Sequence, residues 1–173
     1  MLTFERISME NFSRVPEPCR FCLYWQTSGE LQPKRGKDEL EKAKLEWLAS
    51  VEKAFRNCTI IACVDNVPIG FVQYALPKHF PRVNDYASGP PSGDAVFLAC
   101  LYIPSEKHRG KGYGKAMLRN LLKELSQRGF KAVETFARVD SANNPSGPLA
   151  FYLKNCFEVI CRKDDFPLVR LEI

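Results

Sequence analysis

Val96-Phe97-Leu98-Ala99-Cys100-Leu101-Tyr102-Ile103, then Pro104-Ser105-Glu106-Lys107, then His108-Arg109-Gly110-Lys111-Gly112-Tyr113-Gly114-Lys115 are consecutive pieces of the stretch from Asp94 to Arg128. They read as a buried strand, a polar turn and a basic glycine-rich turn. Met117, Leu118, Leu121, Leu122 and Leu125 follow at helical spacing and predict an amphipathic helix anchored in the core. The first N–H groups of such a helix have no internal acceptor, and the aligned peptide dipoles place partial positive charge beside them. Gly110, Gly112 and Gly114 leave those amides uncovered, while Arg109, Lys111 and Lys115 add positive charge. A turn built this way selects an anion, phosphate above all.

Working outward, Gly129 predicts a glycine cap on that helix, and residues 132–139 predict a returning strand. Strand, helix and strand at this length form a crossover, which makes the two strands parallel neighbours. Upstream, the apolar runs 59–64 and 69–76 flank Asp65-Asn66-Val67-Pro68 and predict an antiparallel hairpin. Residues 2–7 predict a first strand. Asp38 is placed to cap a helix that buries Leu40, Trp47, Leu48, Val51 and Phe55, with Lys42, Lys44 and Lys53 on a solvated face. Residues 77–93, rich in Pro, Gly, Asp and Ser, read as a long surface connection. A short helix over 149–155 and strands over 157–162 and 168–173 complete a mixed sheet with helices on its faces.

A chain of 173 residues is expected to be one domain that buries roughly two-thirds of its unfolded surface. No apolar run reaches the roughly 20 residues needed to span a bilayer, and the first residues lack the pattern of a secretion signal, so a cytoplasmic protein without membrane association is expected. Seven cysteines, at 19, 22, 58, 63, 100, 156 and 161, lie mostly in apolar runs and fit free thiols in a reducing compartment. Cys19 and Cys22 have half the spacing of a metal site, but no second pair or histidine completes it, so no metal is expected. The net charge of +5 suits an anionic ligand. Without a nucleic-acid-binding motif it does not imply a nucleic-acid partner.

Spacing separates three glycine-rich phosphate binders. A nucleotide P-loop requires Gly-Lys followed by Ser or Thr, but Gly114-Lys115 precedes Ala116, and Arg109 stands where its first glycine belongs. A dinucleotide fold places its glycines after the first strand of a parallel series; these have another period and lie past mid-chain. Arg109, Gly112 and Gly114 instead fit Arg/Gln-x-x-Gly-x-Gly/Ala, and the stretch resembles the acyl-coenzyme A signature of the GCN5-related N-acetyltransferase (GNAT) superfamily. The segment Ala150-Phe151-Tyr152-Leu153-Lys154-Asn155-Cys156-Phe157 is similar to that superfamily's closing motif, with Cys156 in place of a glycine.

The resemblance implies an α/β fold: a mixed, mostly antiparallel, twisted sheet of about six or seven strands, with helices on both faces and a central parallel pair. It divides residues 1–173 into a variable substrate-side part (1–58), a cofactor-binding core (59–157) and C-terminal strands (157–173). It implies transfer of an acetyl group from acetyl-coenzyme A to a primary amine, on a small molecule or a peptide, directly within a ternary complex. The pyrophosphate would lie over Arg109, Gly110, Lys111, Gly112, Tyr113, Gly114 and Lys115, the pantetheine arm along the backbone of Leu101 and Ile103, and Asn143 near the arm. An amide at Leu101 would face the developing oxyanion, and Tyr152 would protonate the departing thiolate as general acid.

The strand before the turn carries no carboxylate, so the base is sought in Glu134 first, then Asp94 or a water molecule. Phe21, Tyr24 and Trp25 are the candidate substrate wall. A homodimer through edge strands is compatible with this organisation. Two alternatives stay open: a non-catalytic acyl-coenzyme A sensor, and a transferase for longer acyl donors reaching past Leu98 to Leu101.

Overall fold

The computed structural model describes residues 1–29, 35–139 and 146–173. Seven strands, β1 (Leu2–Arg6), β2 (Thr59–Val64), β3 (Val67–Ala75), β4 (Val96–Tyr102), β5 (Ala132–Phe136), β6 (Glu158–Cys161) and β7 (Leu168–Glu172), form one open sheet. Its order is β1-β2-β3-β4-β5-β7-β6, antiparallel throughout except between β4 and β5. That parallel pair is the crossover expected from the sequence. Its helix, α2 (Tyr113–Gln127), buries Met117, Leu118, Leu121 and Leu125. It ends where Gly129, at φ +84°, lets its own N–H reach Ser126 O while Phe130 N–H reaches Leu125 O.

Two further helices, α1 (Lys37–Phe55) and α3 (Leu149–Leu153), complete the α/β architecture. Side chains alternate along β3, and this places α1 and α2 on opposite faces of the sheet. Gly70 lies under Met117 of α2, where an added Cβ would come within 2.7 Å of the sulfur. Tyr74, on the same face, donates to Glu124 of α2 at 2.7 Å. Gln73 points to the other face and meets Lys44 of α1. Among the described residues no helix is long and apolar enough to cross a membrane.

Several local expectations are corrected. The hairpin turn has two residues, not four: Asp65 and Asn66 adopt φ +49° and +67°, the conformation that matches strand twist, and β3 already begins at Val67. Asp38 sits inside the first turn of α1, whose N-cap is Gly36. Lys44 is not on a solvated face but 4 % exposed, because the buried stripe of α1 runs Lys44, Leu48, Val51, Phe55. The connection over 77–93 is not merely a surface loop: two 3-10 turns carry Phe80, Arg82 and Val83 into the interior, and Ser88 is buried as well.

Candidate active site

The site begins at an irregularity between β3 and β4. Gln73 pairs with Cys100 and Tyr74 with Leu98, so Ala99 is an extra residue that bends β4. On its other side β4 pairs with β5 only at Val96 with Val133 and Phe97 with Glu134. Beyond that point the strands part, and the Leu98 carbonyl accepts a hydrogen bond from the Thr135 hydroxyl at 2.7 Å. The outer half of β4 thus has an edge free of β5.

The parted edge leads to the glycine turn. Gly112 is the N-cap of α2 at φ +82°, without a side-chain capping bond, and the first helical bond runs from Ala116 N–H to Gly112 O. The amides of Tyr113, Gly114 and Lys115 precede that bond, so they are the orphan donors of the helix start. A Cβ at Gly110 or Gly112 would meet nothing within 4 Å, so both glycines border open space. A groove of about 440 Å³ joins the two features, lined by Leu101, Tyr102 and Ile103, by Arg109, Gly110, Gly112, Gly114 and Lys115 of the turn, and by Gly147, Pro148, Phe151, Lys154 and Asn155. None of these lining residues is a carboxylate. Strand edge, bare amides and lysine ammonium form a donor set suited to an amide-bearing chain that ends in phosphates.

Arg109 braces the turn from beneath. Its Nε donates to Ile103 O at 2.9 Å and its Nη2 to Pro104 O at 3.1 Å, with the guanidinium over the Tyr102 ring. Lys115 lines the groove, Lys111 and Tyr113 flank it on the turn, and His108 lies half-buried beside Tyr113. Asn143 lies outside the described residues.

Tyr152 is fully buried and lies behind the groove lining. Its hydroxyl donates to the Ser146 carbonyl. Burial pushes its pKa up, partly offset by the neighbouring Thr135, so the phenol keeps its proton. Cys156, which stands in place of a glycine, has φ +66°. Cys156 N–H reaches Leu153 O and Phe157 N–H reaches Tyr152 O, the same glycine-type helix stop seen at Gly129. That stop fixes the end of α3 and with it Tyr152.

The candidate bases do not hold. Glu134 is 0 % exposed, with one oxygen 2.7 Å from Arg170 Nη1 and the other accepting from Ser92 N–H. Asp94 is held by the same guanidinium, whose hydrogen bonds lower its pKa. Both lie at the paired end of β4 and β5, before the strands part, and serve structure there. The proposed substrate wall also divides: Trp25 is core, stacked with Tyr86 and Phe136, whereas Tyr24 is exposed and hydrogen bonds with the Tyr86 hydroxyl at 2.8 Å. Phe21 is half-buried between Arg20 and Lys37. Cys100 is a buried thiol whose pKa desolvation raises.

Sequence reasoning missed the polar cluster opposite. Lys44 Nζ donates to Cys22 O at 2.7 Å, Gln73 Oε1 at 2.8 Å and Gln26 Oε1 at 3.1 Å. Burial lowers its pKa, yet three acceptors match the three protons of an ammonium and favour the charged form. The i, i+4, i+7, i+11 spacing from Lys44 to Phe55 was the available signal.

The profile of the Acetyltransferase (GNAT) family matches residues 19–156. The β-lysine N(6)-acetyltransferase of Methanosarcina mazei is 38% identical over 73 residues, which are 40% of this chain and 26% of that protein. The chain thus spans about a quarter of the length of that relative. The PaiA N-acetyltransferase of Thermoplasma acidophilum, solved in complex with coenzyme A, superposes with a TM-score of 0.64 at 15% identity, covering 100% of this chain and 99% of that one. An acetyltransferase from Thermus thermophilus gives 0.63 at 17% identity, covering 100% and 97%.

Proposed function

The chain belongs to the acetyltransferase (GNAT) family, and from that premise we propose that it transfers the acetyl group of acetyl-coenzyme A to a primary amine within a ternary complex. One observation carries the reading: a single groove joins the unpaired outer edge of β4 to the bare amides at the start of α2. Acetyl-coenzyme A supplies the activated acyl group when bound. Leu101 and Ile103 offer backbone groups to the pantetheine arm, and the amides from Gly110 to Lys115 hold the pyrophosphate.

In this reading the amine nitrogen attacks the thioester carbon on the side away from the groove, and the Leu101 amide stabilises the oxygen as it gains charge. The carbon–sulfur bond breaks, and the Tyr152 hydroxyl gives its proton to the departing thiolate. The phenol carries its proton at neutral pH, as a donor to the thiolate must. The proton lost from the amine passes to solvent, in keeping with a lining that has no carboxylate among the described residues. Leu98, Ala99 and Cys100 are buried, which supports a short acyl group over a long one. The free cysteines fit a cytoplasmic setting.

The lack of a carboxylate among the described lining residues also favours a second reading, a sensor that binds acyl-coenzyme A without turnover. Thiol release from acetyl-coenzyme A across a panel of amines separates the two. The relative from Methanosarcina mazei is named for β-lysine, so β-lysine and lysine-like diamines head the panel. Amine-dependent thiol release is the expected result; tight binding with no release across the panel would leave the sensor.

A further inference from the structure

Outside the groove, the sequence motif left without a role is Cys19-Arg20-Phe21-Cys22. Cys19–Phe21 form a 3-10 turn, which Cys22 closes by donating its N–H to Cys19 O at 3.3 Å. In such a turn side chains three residues apart eclipse one another, and their Cα atoms lie within about 7 Å. A disulfide spans Cα separations of about 4.4–6.8 Å, so the backbone holds two free thiols within the range a bridge requires. Cys19 is buried and Cys22 half-buried, which leaves one sulfur within reach of a reagent and the other behind it.

A second observation is the ammonium packed against this turn. Lys44 is buried, and its three hydrogen-bond acceptors, Cys22 O, Gln26 Oε1 and Gln73 Oε1, are all neutral. It forms no ion pair among the described residues. Burying a cation without an anion is costly. The neighbouring groups that favour its charge are thiols, Cys22 foremost, with Cys100 and Cys19 after it. Gln26 Nε2 and Gln73 Nε2, in the same cluster, are buried donors without an acceptor among the described residues. The cluster is thus rich in donors and short of one negative charge, which a thiolate supplies.

We propose that Cys19 and Cys22 form a reversible dithiol–disulfide site that exchanges with small-molecule disulfides of the glutathione class, with Lys44 stabilising the thiolate. Cys22 gives up its proton and its sulfur attacks one sulfur of the small disulfide. That S–S bond breaks, one thiolate leaves with the electron pair and takes up a proton, and a mixed disulfide stands at Cys22. Cys19 then loses its proton and attacks the Cys22 sulfur, which closes the Cys19–Cys22 bond and releases the second thiolate, protonated in turn. Two cysteines are oxidised, and one small disulfide is reduced to two thiols. Burial pushes the Cys19 thiol up to about 12 while Lys44 draws it down, so the half-buried Cys22 attacks and Cys19 resolves. Lys44 also reaches Gln73, the partner of Cys100 beside the bend in β4, so the site adjoins the point where the groove opens.

The full chain, reduced and then incubated with oxidised glutathione under native conditions, tests this by mass spectrometry once the remaining thiols are alkylated. Trypsin cuts after Arg20, between the two cysteines, so a Cys19–Cys22 bond keeps two tryptic peptides joined until a reductant parts them. The wild type is expected to give the joined peptides at about tenfold or more over glutathione retained on Cys22, because the neighbouring thiol attacks faster than one from solution. Excess reduced glutathione is expected to restore both thiols. Cys19→Ala, which lacks the resolving thiol, is expected to keep glutathione on Cys22, and Cys22→Ser to leave Cys19 unmodified. The wild-type result decides by itself: two thiols that stay free to alkylate, a glutathione adduct that persists on Cys22, or a bond that forms only in urea would each overturn the site. Neither step uses coenzyme A, so the outcome is independent of the acetyl-transfer reading.

Discussion

The Thr135 hydroxyl donates to the Leu98 carbonyl at 2.7 Å, one residue beyond the last parallel pair of β4 and β5. A side chain replaces the backbone partner there, which satisfies the carbonyl while allowing the strands to separate. Thr135→Val keeps the shape but leaves the buried carbonyl unpaired. The expected cost is about 1–3 kcal/mol in urea denaturation, with a lower kcat, because the mouth of the groove loses its brace.

Tyr152→Phe separates the proposed acid from its packing. The ring stays, so the KM for acetyl-coenzyme A is expected to change little, while kcat falls by about 100-fold if the hydroxyl protonates the leaving thiolate. Unchanged steady-state kinetics would remove Tyr152 from the chemistry and leave it as the partner of Ser146.

Gly112→Val tests the cradle. A Cβ there would touch nothing within 4 Å, so the penalty comes from φ +82°, at about 1–2 kcal/mol. If the turn relaxes to a negative φ, its amides no longer converge. At least a tenfold loss of coenzyme A affinity by titration is expected. Gly114→Ala makes the contrast: its methyl would meet Phe151 at 3.6 Å and Leu101 at 3.9 Å, ordinary contacts, so the fold is expected to melt as the wild type does.

Cys156→Gly should stabilise the protein. Cys156 is exposed and holds φ +66° at the end of α3, so glycine relieves backbone strain with no packing lost. The strain is about 1–2 kcal/mol, and the greater unfolded-state freedom of glycine returns part of it, for a net gain of about 0.5–1 kcal/mol. A rise in the denaturation midpoint checks this.

Arg170 binds Asp94, Glu134 and Glu172 at once. Arg170→Met strands the buried Glu134 and is expected to cost about 3 kcal/mol or more at neutral pH. Arg170 also holds the exposed Asp94 below its ordinary value of 3.8, so the Asp94 contribution is complete above that pH and is lost as pH falls through the lower folded value. Stability measured between pH 7 and pH 2 should therefore decline more steeply in the wild type than in the variant below about pH 4.

The sequence by itself determined what depends on local pattern. The strand, glycine turn and helix from Val96 to Gln127 follow from alternation, helical spacing and the backbone freedom of glycine, and Gly129 marks the end of α2 through the same freedom. The hairpin and the parallel crossover follow from connection length. Tertiary structure decided the meaning of individual polar side chains, because their roles depend on neighbours far along the chain. Glu134 reads as a strand carboxylate available for chemistry until Arg170, 36 residues away, closes over it. Lys44 reads as surface charge until Gln73, 29 residues on, meets it beneath α1. Burial makes the difference in both cases: in a low-dielectric interior an ion must be paired, and only the fold supplies the partner.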